Sequence, residues 1–390
     1  MIPYGRQEIT AADIEAVTAV LKSDFLTQGP AVPRFETALC EVVGVQHAVA
    51  VNSATSALHV ACLALGLGKG DRLWTSPNTF VASANCALYC GAEVDFVDID
   101  PATANLSVER LREKLEQAAR RKALPKIVVP VHFAGQPTAQ EAIWELAREY
   151  GFFVIEDASH SVGASRNGEN VGSCRWSHIT VFSFHPVKII TSAEGGMAVT
   201  NDAALARRMA LLRSHGITRE AGEFVSADAR DSGAWYYEQQ HLGFNYRMTD
   251  VHAALGQSQL LRLSGYVERR NQIARRYDDL LAELPLTLPG VEPQNRSAFH
   301  LYVVRLQAGG DRATHLRIFN ELRRRDIGVN LHYMPVHLQP YYRALGFSPG
   351  DFPQAEAFAA AAITLPLYAT LTEADQDLVV SALHSVLVNA

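Results

Sequence analysis

The sequence predicts an α/β fold in which helices flank a mostly parallel central sheet and a smaller α+β domain follows. Short, almost wholly apolar strand patterns alternate with helical patterns through the first two-thirds of the chain. Strands this apolar are buried on both faces, as parallel strands are, and helices then form the crossovers. The pattern changes beyond residue 284, and a chain of 390 residues is too long for one simple core.

The predicted elements follow in chain order. Thr10 and Asp13 form a capping box that begins the first helix. The predicted strands of the sheet are residues 47–51, 72–75, 94–97, 127–131, 152–155, 179–184 and 196–200. Helices are predicted between them at residues 53–65, 80–89 and 138–151. In a sheet of this kind, ligands bind at the carboxyl ends of the strands.

The last third of the chain predicts a different arrangement. A long helix is predicted from residue 251 to 281, followed by a strand at 301–306 and helices at 315–325 and 372–388. We therefore assign residues 1–250 to a large domain. Residues 251–390 form a smaller C-terminal domain that begins with the long linking helix.

Composition narrows the classes of partner and the cellular location. The formal net charge is -6 and no block of basic residues is present, so a nucleic acid is not an expected partner. No apolar run is long enough to cross a bilayer. The five cysteines are scattered without a CxxC pair, which is typical of a reducing cytoplasm. Cys86 and Cys90 share a helix face, and we expect a buried apolar role for them rather than a disulfide or a metal site.

A lysine and an aspartate at two predicted strand ends indicate the chemistry. Lys188 follows the strand at 179–184, and Asp157 ends the strand that begins at residue 152. Pyridoxal phosphate (PLP) needs such a pair. The lysine would hold the aldehyde as a Schiff base, and the aspartate would keep the pyridine nitrogen protonated so that the ring accepts electrons.

Three further positions fit the same cofactor. Residues 52–56, NSATS, lie between a strand and a helix start, where backbone N–H groups bind phosphate, although Ser53 or Thr55 could simply cap the helix. Phe80 could stack on a flat ring or lie in the core, and His160 follows Asp157 by three residues.

Neither GxGxxG nor a Walker motif is present, which argues against an NAD-dependent oxidoreductase. Asp95, Asp98 and Asp100 fit a strand that ends in a turn better than a metal site, and no metal is expected.

Several motifs together resemble one enzyme family. The segments SAT, PNTF, EDASH, FSFHPVK, EGG and LGFNYRMTD are similar to those of the fold-type-I, PLP-dependent nucleotide-sugar aminotransferases. The similarity covers nearly the whole chain. Within the family, the chain most resembles the UDP-4-keto-6-deoxy-sugar C4 aminotransferase of pseudaminic acid biosynthesis.

The resemblance implies roles for individual residues. Lys188 and Asp157 are the implied catalytic residues, with His160 near the ring hydroxyl and Phe80 on the ring face. The implied phosphate ligands are Ala54, Thr55, Ser183 and, from a second subunit, Asn245. The resemblance therefore implies a homodimer with shared active sites. Arg247 would serve the phosphate or the nucleotide. Candidates for the sugar pocket, for which packing is an equal alternative, are Tyr4, Gln28, His185, His332 and Tyr333.

The implied reaction moves an amino group from glutamate to a nucleotide-linked 4-keto-6-deoxy sugar, UDP-linked and N-acetylated. Three alternatives stay open: another nucleotide keto-sugar (dTDP- or GDP-linked, or 3-keto), a sugar 3-dehydratase, and a non-catalytic regulator of the same fold. The dehydratases carry histidine in place of the lysine, so Lys188 argues against them. Many relatives have tyrosine or phenylalanine where His185 stands, so His185 bears on which sugar fits.

Overall fold

The computed structural model describes residues 1–226, 233–307 and 312–388. The strands are β1 His47–Val51, β2 Arg72–Thr75, β3 Glu93–Phe96, β4 Ile127–Val129, β5 Phe153–Asp157, β6 Ser165–Arg166, β7 Glu169–Asn170, β8 Ile179–Ser183, β9 Gly196–Thr200, β10 Ile217–Thr218, β11 Glu238–Gln239, β12 Leu286–Thr287, β13 Asn295–Arg296, β14 Tyr302–Leu306 and β15 Ala362–Leu365. The helices are α1 Ala11–Leu21, α2 Ala31–Val43, α3 Ala54–Ala64, α4 Ala82–Tyr89, α5 Val108–Arg120, α6 Gln140–Tyr150, α7 Ala203–Leu212, α8 Asp250–Leu260, α9 Leu263–Leu281, α10 Arg312–Arg324, α11 Pro340–Ala344, α12 Pro353–Ala361 and α13 Glu373–Val388.

Within the described residues, the centre of the molecule is a seven-stranded sheet in the order β1-β9-β8-β5-β4-β2-β3. Only β9 runs antiparallel to its neighbours in this sheet. Every residue of β4, β8 and β9 is buried, because helices cover both faces of the sheet. The predicted α/β fold with a mostly parallel sheet is therefore confirmed.

The pairing of three strands assembles one end of the sheet. The antiparallel β9 starts at Gly196, which pairs with Val51 at the end of β1 and with Ser183 at the end of β8. Asp157 ends β5, which runs parallel to β8. The starts of α3 and β9 and the ends of β5 and β8 therefore meet at the carboxyl edge, where ligands bind in sheets of this kind.

The C-terminal part has a small antiparallel sheet in the order β12-β14-β15. Tyr277 of α9 and Tyr302 of β14 are fully buried in a core that also receives side chains from α10 and α13. The strand predicted at 301–306 and the helices predicted at 315–325 and 372–388 are therefore present. The domain boundary at residue 250 stays a prediction.

The single helix predicted from residue 251 to 281 is wrong, because the structure has two helices, α8 and α9. The chain leaves helical geometry at Arg262, whose guanidinium binds the carboxylate of Asp13 in α1 at 2.6 Å. α8 packs against α1 and α2, whereas α9 continues into the C-terminal core. Because of the break, α8 can pack against α1 and α2 while α9 packs in the C-terminal core.

No helix in the described ranges combines the length and the apolar character that a membrane span requires.

Candidate active site

A cavity of about 410 Å³ opens at the carboxyl edge of the central sheet. Its volume suits a small-molecule ligand. Among the residues predicted from the sequence, the lining includes Tyr4, Ala54, Thr55, Phe80, Asp157, His160, Ser183, His185, Lys188, His332 and Tyr333. The fold thus brings together residues from Tyr4 to Tyr333, although the roles assigned to them stay predictions.

Lys188 and Asp157 lie in this cavity and influence each other. Lys188 is partly buried in the turn after β8, where its backbone N–H donates to the carbonyl of His185 at 2.9 Å. Burial lowers the pKa of Lys188 to about 8, although the negative charge of Asp157 opposes this shift. Near physiological pH, Lys188 is therefore a neutral, nucleophilic amine in a sizeable fraction of the molecules.

Two hydrogen bonds hold the Asp157 carboxylate in place. Its Oδ2 accepts from the Ser83 hydroxyl at 2.6 Å, and its Oδ1 accepts from the Ser159 backbone N–H at 3.1 Å. The side chain is only 5% exposed. A carboxylate has about four lone-pair positions, so Asp157 can still accept a bond from a protonated ring nitrogen.

The neighbouring Glu156 has a structural role, because successive residues of a strand point to opposite faces of the sheet. Its carboxylate accepts from the hydroxyls of Ser177 at 3.1 Å and Thr180 at 2.8 Å, and also from the Gln140 amide. The alternation along β5 thus leaves Asp157 as the carboxylate of this strand that faces the cavity.

The start of α3 lies at the cavity, where the sequence predicts the phosphate site. The Ser53 hydroxyl caps the helix by accepting from the Ser56 N–H at 3.1 Å, while the first N–H groups of any helix lack intrahelical partners. A Cβ on Gly196 would lie 2.4 Å from the Ala54 nitrogen, so only glycine lets β9 approach this closely. The cradle that results is lined by Ala54, Thr55 and Ser183, whose role as phosphate ligands stays a prediction.

The hydrogen bonds of His160 determine its tautomer. The backbone N–H of Ala134 donates to Nδ1 at 3.3 Å, so the proton of the neutral ring lies on Nε2 and is donated to the Tyr333 oxygen at 3.0 Å. Burial, together with the positive charge of Lys188, lowers the pKa of His160 well below its ordinary value. Burial also raises the pKa of Tyr333, whose hydroxyl proton is thus retained and available to a ligand.

Aromatic and imidazole rings form the rest of the wall. Phe80 is 58% exposed and its ring centre lies 6.4 Å from that of Tyr333, so one of its faces is open to a ligand. Tyr4 packs against His332, with 5.3 Å between ring centres, and His332 Nδ1 interacts with the Thr364 hydroxyl at 2.8 Å. His185 is exposed at the cavity.

Three predicted residues do not line the cavity of their own subunit. Asn245 is exposed and pairs through its backbone with Ser214, whose hydroxyl accepts from Arg247 at 2.9 Å. Gln28 is also exposed. Asn245 was predicted to act on a second subunit, and its role, like those of Arg247 and Gln28, stays a prediction.

Sequence reasoning missed other residues of the site. Ser83 binds Asp157 from α4, and Asn330 and His300 line the cavity from the C-terminal part. The Nδ1 atom of His300 is buried and has no hydrogen-bond partner among the described residues. Ser83 follows the PNTF segment closely, which could have indicated it, but no local pattern marked Asn330 or His300.

The cavity fits PLP in its donor set and its shape. It combines a partly neutral lysine, a buried carboxylate, an exposed aromatic face and a cradle at a helix start that a Cβ would fill. In the described part of the chain, no group of three or more potential ligands could hold a metal ion.

The profile of the DegT/DnrJ/EryC1/StrS aminotransferase family matches residues 7–384. The chain belongs to this family. It is 38% identical to the spore coat polysaccharide biosynthesis protein SpsC of Bacillus subtilis, over 100% of this chain and 98% of SpsC. Its fold is similar to that of Helicobacter pylori PseC, an aminotransferase involved in the biosynthesis of pseudoaminic acid (TM-score 0.90, 30% identity, 100% of both chains covered).

Aminotransferases of this family depend on PLP, and the chain is therefore a PLP-dependent aminotransferase. A structure from Streptococcus pneumoniae in its PLP-form matches the chain with a TM-score of 0.88 and 27% identity, and it covers 100% of this chain and 99% of that one. The expected fold-type-I fold and cofactor are confirmed.

Proposed function

We propose that this enzyme transfers an amino group from glutamate to a nucleotide-linked 4-keto-6-deoxy sugar, UDP-linked and N-acetylated. The observation that carries the proposal is the position of Lys188, with its lowered pKa, beside the buried Asp157 in one cavity. The sugar substrate is supported by the similarity to PseC over the full length of both chains.

The cofactor, when bound, supplies an aldehyde that combines with amines and a ring that accepts electrons from a neighbouring carbon. The proposed role of Asp157 is to keep the ring nitrogen protonated, and Ser83 holds the carboxylate for this task at 2.6 Å. Lys188, released from the aldehyde by the incoming amine, would act as the general base that moves a proton to and from the substrate carbon.

The remaining wall residues would bind and orient the two substrates. Glutamate and the sugar use the same cavity in turn, because the enzyme must pass the amino group from one to the other. We assign the sugar pocket to His185, His332, Tyr4 and Tyr333. The retained Tyr333 proton, fixed in direction by His160, is suited to donate to an oxygen of the cofactor or the sugar.

Incubation of the purified protein with candidate 4-keto nucleotide sugars and glutamate, followed by mass measurement, tests this function directly. The expected product is the amino sugar, with 2-oxoglutarate formed in equal amount. Conversion of dTDP-linked, GDP-linked or 3-keto sugars instead would show that the enzyme acts on a different sugar. A protein that holds PLP but converts none of them would support the regulatory alternative.

A lysine variant tests the assignment of the base. Lys188→Ala should abolish turnover and leave no adduct on this side chain after borohydride reduction, because the amine is absent. Lys69→Ala is the matched control, since Lys69 is exposed and outside the cavity lining. Normal turnover by Lys188→Ala would refute the assignment.

A further inference from the structure

One wall of the active-site cavity carries a histidine whose imidazole has no partner in the chain. His300 lines the cavity just before β14 and is only 4% exposed. Its Nδ1 atom is buried, and no described residue forms a hydrogen bond with it. Nearly all buried polar atoms in proteins have a partner. An unpartnered imidazole at the edge of a cavity therefore points to a group that binds in the cavity.

The backbone on both sides holds the His300 ring in place. The N–H of Ala298 donates to the carbonyl of Gly135 at 3.0 Å. A Cβ on Gly135 would lie 2.9 Å from the His300 nitrogen, so this close approach requires glycine. The His300 ring lies 4.5 Å from the ring of His160, measured between centres. The imidazole is therefore fixed at the wall before any ligand arrives.

A buried arginine lies behind this wall. Arg270 of α9 is 2% exposed, and one of its terminal nitrogens donates to the carbonyls of Phe299 at 3.2 Å, His300 at 3.3 Å and Leu367 at 3.1 Å. Burial lowers its pKa to about 10, so it keeps its charge at physiological pH. Within the described ranges, Arg270 forms no ion pair with a carboxylate. A buried charge without a counter-ion is costly, and an anion nearby would stabilise it.

The surroundings of His300 decide its protonation state. Burial, together with nearby basic groups that include Lys188 and Arg270, lowers the pKa of His300 well below its ordinary value. The neutral imidazole carries one N–H. Buried N–H groups without a partner are rarer than acceptors without one, so we assign the lone pair to the buried Nδ1 and the proton to Nε2. His300 thus acts as a hydrogen-bond donor towards the cavity.

We propose that His300 binds a carboxylate group of the amino donor through its Nε2–H, with the charge of Arg270 as electrostatic support. The inference rests on the proposed transfer from glutamate. The charged groups that act on His300 are all basic, and the acidic Asp157 of the same cavity is already held by Ser83 at 2.6 Å. A carboxylate supplies the acceptor and the negative charge that this wall lacks.

The charge separates this ligand from the other substrate of the cavity. A sugar hydroxyl or carbonyl oxygen could also accept a hydrogen bond from His300, but it carries no charge to balance Arg270. The wild-type holoenzyme should therefore bind glutarate, a dicarboxylate without an amine, at least about tenfold more tightly than its uncharged diamide of the same shape. Isothermal titration calorimetry measures both affinities. Equal affinities, or no binding of glutarate, would overturn the inference without the need for any variant.

Two variants at position 300 then test the residue itself. His300→Phe keeps a flat ring but removes the donor, and it should weaken glutarate binding by about tenfold or more, as expected when a hydrogen bond to a charged group is lost. His300→Gln retains an N–H donor and should keep most of the affinity. His384→Phe is the matched control, because His384 is exposed on α13 and lies outside the cavity lining. Unchanged glutarate binding in His300→Phe would refute the assignment.

The two half-reactions distinguish carboxylate binding from a general effect on the cavity. In His300→Phe, half-maximal release of 2-oxoglutarate should need at least about tenfold more glutamate. The affinity for PLP and the concentration dependence for the 4-keto nucleotide sugar should not change. A loss shared by glutamate, sugar and PLP would show that the ring only shapes the cavity, and a loss for the sugar alone would assign His300 to a sugar oxygen. Either result would refute the inference.

Failure of the proposed sugar substrate would look different. In that case the wild-type protein would bind glutarate and form 2-oxoglutarate from glutamate but convert no 4-keto nucleotide sugar. The effect of His300→Phe on glutarate would still support the carboxylate site, because neither measurement involves the sugar.

Discussion

The hydrogen bonds of His160 decide which groups of the site can donate a proton. Because Nδ1 accepts from the Ala134 backbone, Nε2–H must donate to Tyr333, and the phenol proton is left for a ligand. A glutamine at position 160 could also donate to Tyr333, and its amide would not titrate. His160 behaves similarly at physiological pH, because its pKa is lowered well below the ordinary value and the neutral ring persists.

The pKa of Lys188 predicts how fast the apoenzyme takes up its cofactor. Only the neutral amine attacks an aldehyde, and burial lowers the pKa of this amine to about 8. The rate at which bound colour appears after PLP is added should therefore rise with pH and reach half its maximum near pH 8. A stopped-flow series from pH 6.5 to 9.5 measures this, with Lys188→Ala as the blank. A rate that still rises steeply above pH 9.5, as for an ordinary lysine, would contradict the assigned environment.

At the scale of elements, the close approach of β9 to the start of α3 shapes the predicted phosphate cradle. Gly196→Ala would place a Cβ 2.4 Å from the Ala54 nitrogen and 2.5 Å from the Ser53 carbonyl carbon, so the helix start must shift. Overpacking of this kind costs about 1–3 kcal/mol, and we expect a loss of PLP affinity of about tenfold or more. A titration of apoenzyme followed by absorbance measures the affinity.

Gly68→Ala is the matched control for this change, because nothing lies within 4 Å of a Cβ at Gly68. It should leave PLP affinity unchanged. Unaltered affinity in Gly196→Ala would contradict the prediction that the start of α3 holds the phosphate.

The junction of α1 with α8 and α9 depends on one buried carboxylate. Asp13 accepts from Arg262 at 2.6 Å, from Ser258 at 2.7 Å and from Gln259 at 2.8 Å. Burial alone would raise the pKa of Asp13, but the hydrogen bonds from Arg262, Ser258 and the Thr10 backbone, together with the Arg262 charge, lower it to about 2. A pKa below that of the unfolded chain means that ionised Asp13 stabilises the fold above about pH 4 and loses this effect as pH falls towards 2.

Asp13→Asn should therefore lower the free energy of unfolding by about 1–2 kcal/mol at pH 7, after allowance for solvent screening at the partly exposed Arg262. Urea unfolding at fixed protein concentration measures the difference, which should shrink between pH 4 and pH 2. Glu113→Gln, which removes an exposed ion pair with Arg110, should leave the midpoint unchanged. A difference that persists at pH 2 would show that shape, rather than charge, makes Asp13 important.

At the scale of the whole molecule, the sequence predicts correctly those features that residues close together in the chain determine. The apolar runs of β8 and β9, the place of Asp157 at the end of β5 and that of Lys188 shortly after β8 follow from residues close in the chain. His300 and Asn330 reach the cavity only because the C-terminal part folds back onto the central sheet. Such a contact depends on tertiary packing across more than a hundred residues, and no periodicity in a single sequence reports it. The break at Arg262 is not visible in the sequence for the same reason, since Arg262 contacts Asp13 of α1, which is far away in the chain.

The predicted homodimer with shared active sites can be tested by mixing two variants that are each impaired alone. Asn245 is exposed and does not line its own cavity, so its proposed place is at the phosphate of the second subunit. Lys188→Ala and Asn245→Ala should then each be inactive or strongly impaired as homodimers. In a hybrid dimer, however, the subunit that carries Asn245→Ala keeps its own Lys188 and receives an intact Asn245 from its neighbour, which makes one complete site.

Mixing the two variants in equal amounts, with subunit exchange, should therefore restore about a quarter of the wild-type activity, because half the dimers are hybrids and each has one complete site of two. Native mass spectrometry of differently tagged subunits measures the hybrid fraction alongside turnover. If Asn245 served its own subunit, every site in the hybrid would contain a lesion and mixing would restore nothing. Hybrids that form but stay inactive would thus refute the shared site, whereas activity that scales with the hybrid fraction would establish it.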